Sequence, residues 1–278
     1  MSSDFKDAAL VLVGHGSTLN AESGAPTWQH AETLRARGDF AQVLACFWKQ
    51  EPFLSGVLRG VFARRVFIVP LFISDGYFTE EVIPRELGFC ARGEKVSARV
   101  RQAGDQTLHY ARPVGTHPSM TGVLLAKAAS VIKQHPSDAP PHPRETALFI
   151  AGHGTGNNEN SRKTIERQVE LIRQRDLYAE VHPAFMEEEP LIEKCYAIAR
   201  SAYMIMIPFF ISDGLHSYED IPVMLGEDPA VVKQRYRLGQ PTWNNPTKRQ
   251  EKTVWYSSSI GSEPCLVEVI MERVREMA

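Results

Sequence analysis

The apolar residues of this 278-residue chain gather into short runs. Residues 9–13, 41–48, 65–73 and 108–113 form one series, and residues 146–151, 179–185, 203–211 and 254–258 form a second. Runs such as 65–73 alternate little and are rich in valine, isoleucine and phenylalanine, which predicts strands covered on both faces. Between the runs the period changes to that of helices. Residues 26–37 open on Pro26, a further helix is expected to start near Glu51-Pro52, residues 80–87 follow an Asp-Gly turn, and residues 119–133 carry Val123, Leu124 and Val131 on one face. Strands alternating with helices predict an α/β chain with a parallel, doubly wound sheet in each half.

The two series are copies of each other. At a constant offset of 138 residues, His15 falls on His153, Glu51-Pro52 on Glu189-Pro190, and Ile83-Pro84 on Ile221-Pro222. Across the same offset, the segment Val-Pro-Leu-Phe-Ile-Ser-Asp-Gly at 69–76 lies over Ile-Pro-Phe-Phe-Ile-Ser-Asp-Gly at 207–214. Identity held in register over that length is the mark of a duplication. The expected halves are residues 1–134 and 145–278, joined by a linker at 135–144 that contains Pro136, Pro140, Pro141 and Pro143. The last strand of the second copy arrives late, because residues 227–252 carry an extra stretch with Gly239-Gln240-Pro241-Thr242-Trp243-Asn244-Asn245-Pro246. That stretch reads as a loop, and two roles stay open for it: a lid or substrate rim, or a surface insertion without function.

Charge and cysteine usage narrow the class of partner. A formal net charge of −2 argues against a nucleic-acid binder that relies on bulk positive potential. Cys46, Cys90, Cys195 and Cys265 form no CxxC pair, as expected of reduced thiols in a cytoplasmic protein. The N-terminus lacks a basic-then-apolar leader and no apolar run is long enough to span a bilayer, so no membrane partner is expected.

In open parallel sheets ligands collect at the carboxyl ends of the strands. In the second copy those ends carry His153, then Glu187, Glu188 and Glu189, then His216. Two imidazoles and a carboxylate suit iron, cobalt, nickel or zinc, with positions left for exchangeable ligands. The first copy acts as an internal control: it keeps His15, but Phe78 stands where His216 would be and Lys49 where Glu187 would be. Phenylalanine cannot ligate and an ammonium repels a cation. Glu189 is shared with the first copy as Glu51 and fits a helix N-terminus, which leaves Glu187 as the preferred third member. His15, His30, His109, His117, His135, His142 and His182 read as ordinary polar residues. Past His153, Arg162 and Lys163 at a helix start suit an anionic substrate or a solvated basic turn. Asp220, opposite Val82 of the first copy, is placed to fix the tautomer of an imidazole.

The Gly-His-Gly-[Ser/Thr] turn, Phe185-Met186-Glu187, and the segment 208–222 with Ser-Asp-Gly-Leu-His and Asp-Ile-Pro resemble the class II tetrapyrrole chelatases, in particular the sirohydrochlorin cobaltochelatase and ferrochelatase branch. The resemblance covers both halves. It implies a chelatase-like fold of two duplicated flavodoxin-like halves. It also implies nucleotide-independent insertion of a divalent metal substrate, Co2+, Fe2+ or Ni2+, into sirohydrochlorin or a related acidic tetrapyrrole, in cobalamin or sirohaem synthesis. The metal-handling residues it assigns are His153, His216 and Glu187, in the second half. A non-catalytic metal or tetrapyrrole carrier using the same cleft is the alternative. A phosphotransfer histidine enzyme fits less well, since no arginine directly precedes His-Gly and no Walker-type loop occurs. Nothing in the sequence fixes the oligomeric state.

Overall fold

The computed structural model describes residues 5–18, 20–137, 140–154 and 159–278. In chain order the elements are β1 (Phe5–Gly14), α1 (Ala25–Arg37), β2 (Phe40–Phe47), β3 (Arg65–Pro70), α2 (Ile83–Glu86), β4 (Val100–Ala103), β5 (Gln106–Tyr110) and α3 (Met120–Gln134). The second copy follows as β6 (Thr146–Gly152), α4 (Glu159–Arg173), β7 (Glu180–Phe185), α5 (Cys195–Ile198), β8 (Tyr203–Pro208), α6 (Ile221–Met224), α7 (Pro229–Arg237), β9 (Thr247–Arg249), β10 (Lys252–Tyr256) and α8 (Leu266–Arg275). Two five-stranded sheets result, ordered β2-β1-β3-β5-β4 and β7-β6-β8-β10-β9.

Four strands of each sheet run parallel in a flavodoxin-like order, as the fully buried runs predicted. The fifth strand corrects the expectation of a plain parallel sheet: β4 pairs antiparallel with β5, and β9 with β10. These edge strands contain no apolar run. In β4, for instance, Val100 and Gln102 are exposed and Arg101 is half-buried, so the hydrophobic pattern carried no signal of them. A second correction concerns Glu51-Pro52 and Glu189-Pro190. Both peptides are cis and lie in turns, where Pro52 O accepts from Phe47 N–H at 3.0 Å and Pro190 O from Phe185 N–H at 2.8 Å. Short 3-10 helices, Leu54–Gly60 and Ile192–Lys194, come after them in place of a helix opening on the proline.

The chain forms two compact units, and the first is closed by a helix that is distant in sequence. The first unit contains residues up to Met120 together with Pro264–Ala278, and the second contains Thr121–Glu263. Helix α8 therefore completes the first sheet: it packs against α1 and β3, and the buried Arg273 guanidinium donates to Pro113 O at 2.9 Å and Thr116 Oγ1 at 2.6 Å. In the second unit α3 takes the matching place, with buried Lys127 3.2 Å from Glu263 and Trp255 Nε1 donating to His135 O at 2.9 Å. The compact units cut the chain at other places than the expected halves, 1–134 and 145–278.

The core of the second unit is built from Phe149, Met204, Met206, Ile221, Trp243, Val254 and Tyr256, and that of the first from Val11, Val13, Ile68, Ile83, Leu108 and Tyr110. The insertion at 227–252 is a folded element. Asp228 caps α7 through its carboxylate, which accepts from Ala230 N–H at 2.8 Å and Val231 N–H at 3.2 Å. Trp243 is buried behind it, and α7 packs against the turn at 216–220. Among the described residues no helix is long and apolar enough to cross a membrane.

Candidate metal centre

Strand β6 ends at Gly152, and His153 stands at its carboxyl end between two glycines that the packing requires. A Cβ at Gly152 would lie 2.0 Å from Ile165 Cδ1. Gly154 has φ +65°, and a Cβ there would lie 2.7 Å from Glu188 Cγ and 2.8 Å from Phe185 Cβ. The end of β7 is tied to this turn through the backbone, because Met186 and Glu187 both donate their N–H to His153 O, at 3.1 and 3.2 Å. That pairing places Glu187 beside His153: the carboxylate Oε1 lies 3.7 Å from the imidazole Nε2.

His216 arrives from the next strand. It opens a single π-helical turn, His216–Asp220, after β8, and its ring meets that of His153 edge to face, with centroids 4.9 Å apart and planes at 82°. Ser217 is buried and pins the turn: its hydroxyl accepts from Gly214 N–H at 3.0 Å, while Ser217 O accepts from the Tyr256 hydroxyl at 2.6 Å. His216 Nδ1 donates to Asp220 Oδ2 at 2.7 Å, which puts the proton on Nδ1 and leaves the Nε2 lone pair free to ligate. His153 Nδ1 is buried with no hydrogen-bond partner among the described residues, and its Nε2 faces Glu187. Glu187, His216 and Asp220 are each about half exposed, so an ion can approach from solvent. Among the described residues no group of three histidine, cysteine, aspartate or glutamate side chains is gathered as a metal cage. The donors adjoin one another without enclosing a common point.

The three consecutive glutamates part in direction. Glu187 faces His153; Glu188 accepts from Arg162 Nη1 at 3.1 Å; Glu189 accepts from Leu191 N–H at 3.3 Å and pairs with Lys194. Glu189 thus serves the start of the following 3-10 helix, which holds its carboxyl below the usual carboxylate range chiefly through Lys194. Arg162 and Lys163 also have carboxylate partners of their own. Arg162 spans Glu166 and Glu188 and lies 5.3 Å from the centre of the Phe185 ring, and Lys163 reaches Glu159 at 2.6 Å. The bridge from Arg162 to Glu188, which ties α4 to the end of β7, was missed in the sequence. Its signal was the match of Glu188 to Gln50, which also packs under the glycine turn of its own copy.

The first unit shows what replaced the site. His15 and Phe78 meet at 4.8 Å and 85°, nearly the geometry of His153 and His216. Phe72 and Trp48 close round Phe78 at 6.1 and 6.3 Å, and His15 Nδ1 bonds to Gly16 O at 2.8 Å. An aromatic cluster occupies the position that the two imidazoles take in the second unit.

Comparison with known proteins agrees with the duplication. The CbiX family model matches residues 9–131 and again residues 147–277. A protein of Halobacterium salinarum described as a probable sirohydrochlorin cobaltochelatase is 38% identical over 96% of this chain and 91% of its own length. A sirohydrochlorin cobaltochelatase of Methanopyrus kandleri is 25% identical over 47% of this chain and 95% of its own length, so a single copy suffices to match it. Among solved structures, a multi-domain protein of Deinococcus radiodurans with structural similarity to chelatases superposes with a TM-score of 0.78 at 29% identity, covering 98% of this chain and 55% of that one. SirB from Bacillus subtilis with Fe3+ shares the fold at a TM-score of 0.67 and 18% identity, covering 98% of this chain and 95% of that one. With both halves matched by one model and a relative aligned over 96% of this chain, the chain belongs to the CbiX family.

Proposed function

We propose that this protein is a metal chelatase that inserts a divalent first-row metal, Co2+ before Fe2+ or Ni2+, into sirohydrochlorin without a nucleotide. The observation that carries this reading is the cluster of His153, His216 and Glu187 at the carboxyl edge of the second sheet, whereas the first copy keeps His15 but has Phe78 and Lys49 at the other two positions. The cobaltochelatase description of the Halobacterium relative supports the choice of metal and tetrapyrrole.

Insertion needs an ion held weakly enough to leave, and it releases two pyrrole protons as the metal takes their place. His216 Nε2, freed by the hydrogen bond of its other nitrogen to Asp220, offers a lone pair to the ion, and His153 Nε2 offers a second. As the ion passes to the macrocycle nitrogens, the vacated imidazole nitrogens and the Glu187 carboxylate take up the pyrrole protons. Their exposure lets both protons leave to water. The ammonium of Lys49 and the ring of Phe78 can do neither, so the reaction is assigned to the second copy alone.

The test follows the absorption spectrum of sirohydrochlorin with Co2+ and purified protein, free of nucleotide. His153→Ala and His216→Ala should each abolish enzymatic insertion, and His15→Ala should leave most of it. Product that never exceeds one equivalent per protein would instead identify a carrier, and full activity in His216→Ala would overturn the site assignment.

A further inference from the structure

Two large apolar side chains stand in solvent at matching places in the two copies. Leu215, the residue before His216, and Tyr77, the residue before Phe78, are each 61% exposed. Neither sits on a slack loop. Leu215 has helical backbone angles, φ −52° and ψ −42°, at the entrance to the π-helical turn, and the turn is tied by Tyr218 N–H to Gly214 O at 2.9 Å and by the buried Ser217 hydroxyl to Gly214. The first unit repeats the arrangement, with Glu80 N–H bonded to Gly76 O at 2.8 Å and the buried Thr79 hydroxyl accepting from Gly76 N–H at 2.9 Å. An exposed leucine needs no explanation by itself; what distinguishes Leu215 is that a fixed turn holds it directly before His216.

The first copy, which has lost the imidazole pair and the glutamate, carries Tyr77 at this position, and there the side chain bonds to Arg85 and its ring meets Phe78 at 5.7 Å. In the second copy Leu215 adjoins the imidazole that handles the ion, and the half-buried ring of Phe210 lies 6.3 Å from His216 on the same ground. A metal can reach the four nitrogens of a tetrapyrrole only through the flat face of the macrocycle. The carboxylates of an acidic tetrapyrrole lie on its rim. A side chain next to the delivering imidazole therefore meets the apolar face and not the charged edge.

We infer that Leu215 is a substrate-contact residue that seats the face of the macrocycle over His153 and His216; this inference rests on the chelatase reading above. Burying most of an exposed leucine contributes roughly tenfold in affinity, or about 1.4 kcal/mol.

The experiment measures binding of metal-free sirohydrochlorin by fluorescence quenching and, separately, binding of Co2+ without tetrapyrrole, in the wild type, Leu215→Asn, Leu215→Ala and Leu215→Met. Expected are a tenfold weaker tetrapyrrole Kd for Asn and Ala, recovery to near wild type for Met, and one Co2+ affinity throughout. A tetrapyrrole Kd within twofold of wild type in both Asn and Ala overturns the inference. So does an equal loss of Co2+ binding, which would make Leu215 a support of the metal site, or a change of oligomeric state alone, which would make it a protein contact. Absence of both binding and turnover in the wild type would mark failure of the chelatase reading itself.

Discussion

Asp220→Val replaces the partner of His216 with the residue that the first copy carries at the matching position, Val82. The substitution removes a charge-assisted hydrogen bond of 2.7 Å to His216 Nδ1, without touching either imidazole directly. Such a partner fixes the tautomer that leaves Nε2 free and raises the basicity of the ligating nitrogen, and its loss typically weakens metal affinity about 10- to 100-fold. Here the two side chains are 50% and 45% exposed, so water competes for the bond and the lower end applies: about tenfold, or roughly 1.4 kcal/mol. Asp220→Asn keeps an acceptor oxygen and loses the charge, so it should fall between the wild type and Val. Calorimetric titration with Co2+ measures the effect, with circular dichroism to verify the fold. A Co2+ affinity in Asp220→Val equal to that of the wild type would refute the reasoning, because it would mean the tautomer of His216 does not depend on Asp220.

The geometry of the first copy allows the converse experiment: Phe78→His with Lys49→Glu rebuilds the pair beside His15, whose ring already meets Phe78 at 4.8 Å and 85°, and should raise Co2+ stoichiometry from one to two. A ratio that stays at one in a folded variant counts against equivalence of the two positions. Stability should carry a separate acid signature from Glu180, at the start of β7. Burial by itself would raise its carboxyl, but hydrogen bonds from the Ser201 hydroxyl and amide, the Arg200 amide and His182 hold it down to about 2. Against an ordinary value of 4.5 that shift contributes on the order of 3 kcal/mol, fully present above the unfolded value and lost as pH falls through about 2. Urea unfolding should therefore show Glu180→Gln less stable than wild type near pH ~7, with more than half of the gap gone by pH ~3; a gap that does not narrow would refute the assignment.

Much of this protein was legible because the relevant signals are local. Strands β1, β3, β6 and β8 announce themselves as apolar runs, since a strand buried on both faces must be apolar at nearly every position. The glycines round His153 could be read as a turn because glycine admits the positive φ that turns require, and Gly154 adopts it at +65°. The duplication sets two copies side by side in one sequence, and the contrast of His216 with Phe78 and of Glu187 with Lys49 distinguishes them. Edge strands β4 and β9 stayed hidden, because a short edge hairpin is held by backbone pairing and shows no hydrophobic pattern.

By itself, then, the sequence determined the order of the buried strands and the longer helices between them, the repeat, and which residues stand at the ends of those strands, all of which depend on neighbours in the chain. Only the tertiary structure decided that α8 closes the first sheet and α3 the second, since those contacts join residues more than a hundred positions apart. It also decided the directions of Glu187, Glu188 and Glu189, three identical side chains in a row that differ only in what lies opposite: an imidazole, a guanidinium and an ammonium. Spacing along a chain cannot encode that difference, because the partners come from other elements and are brought into reach by the packing of the sheet.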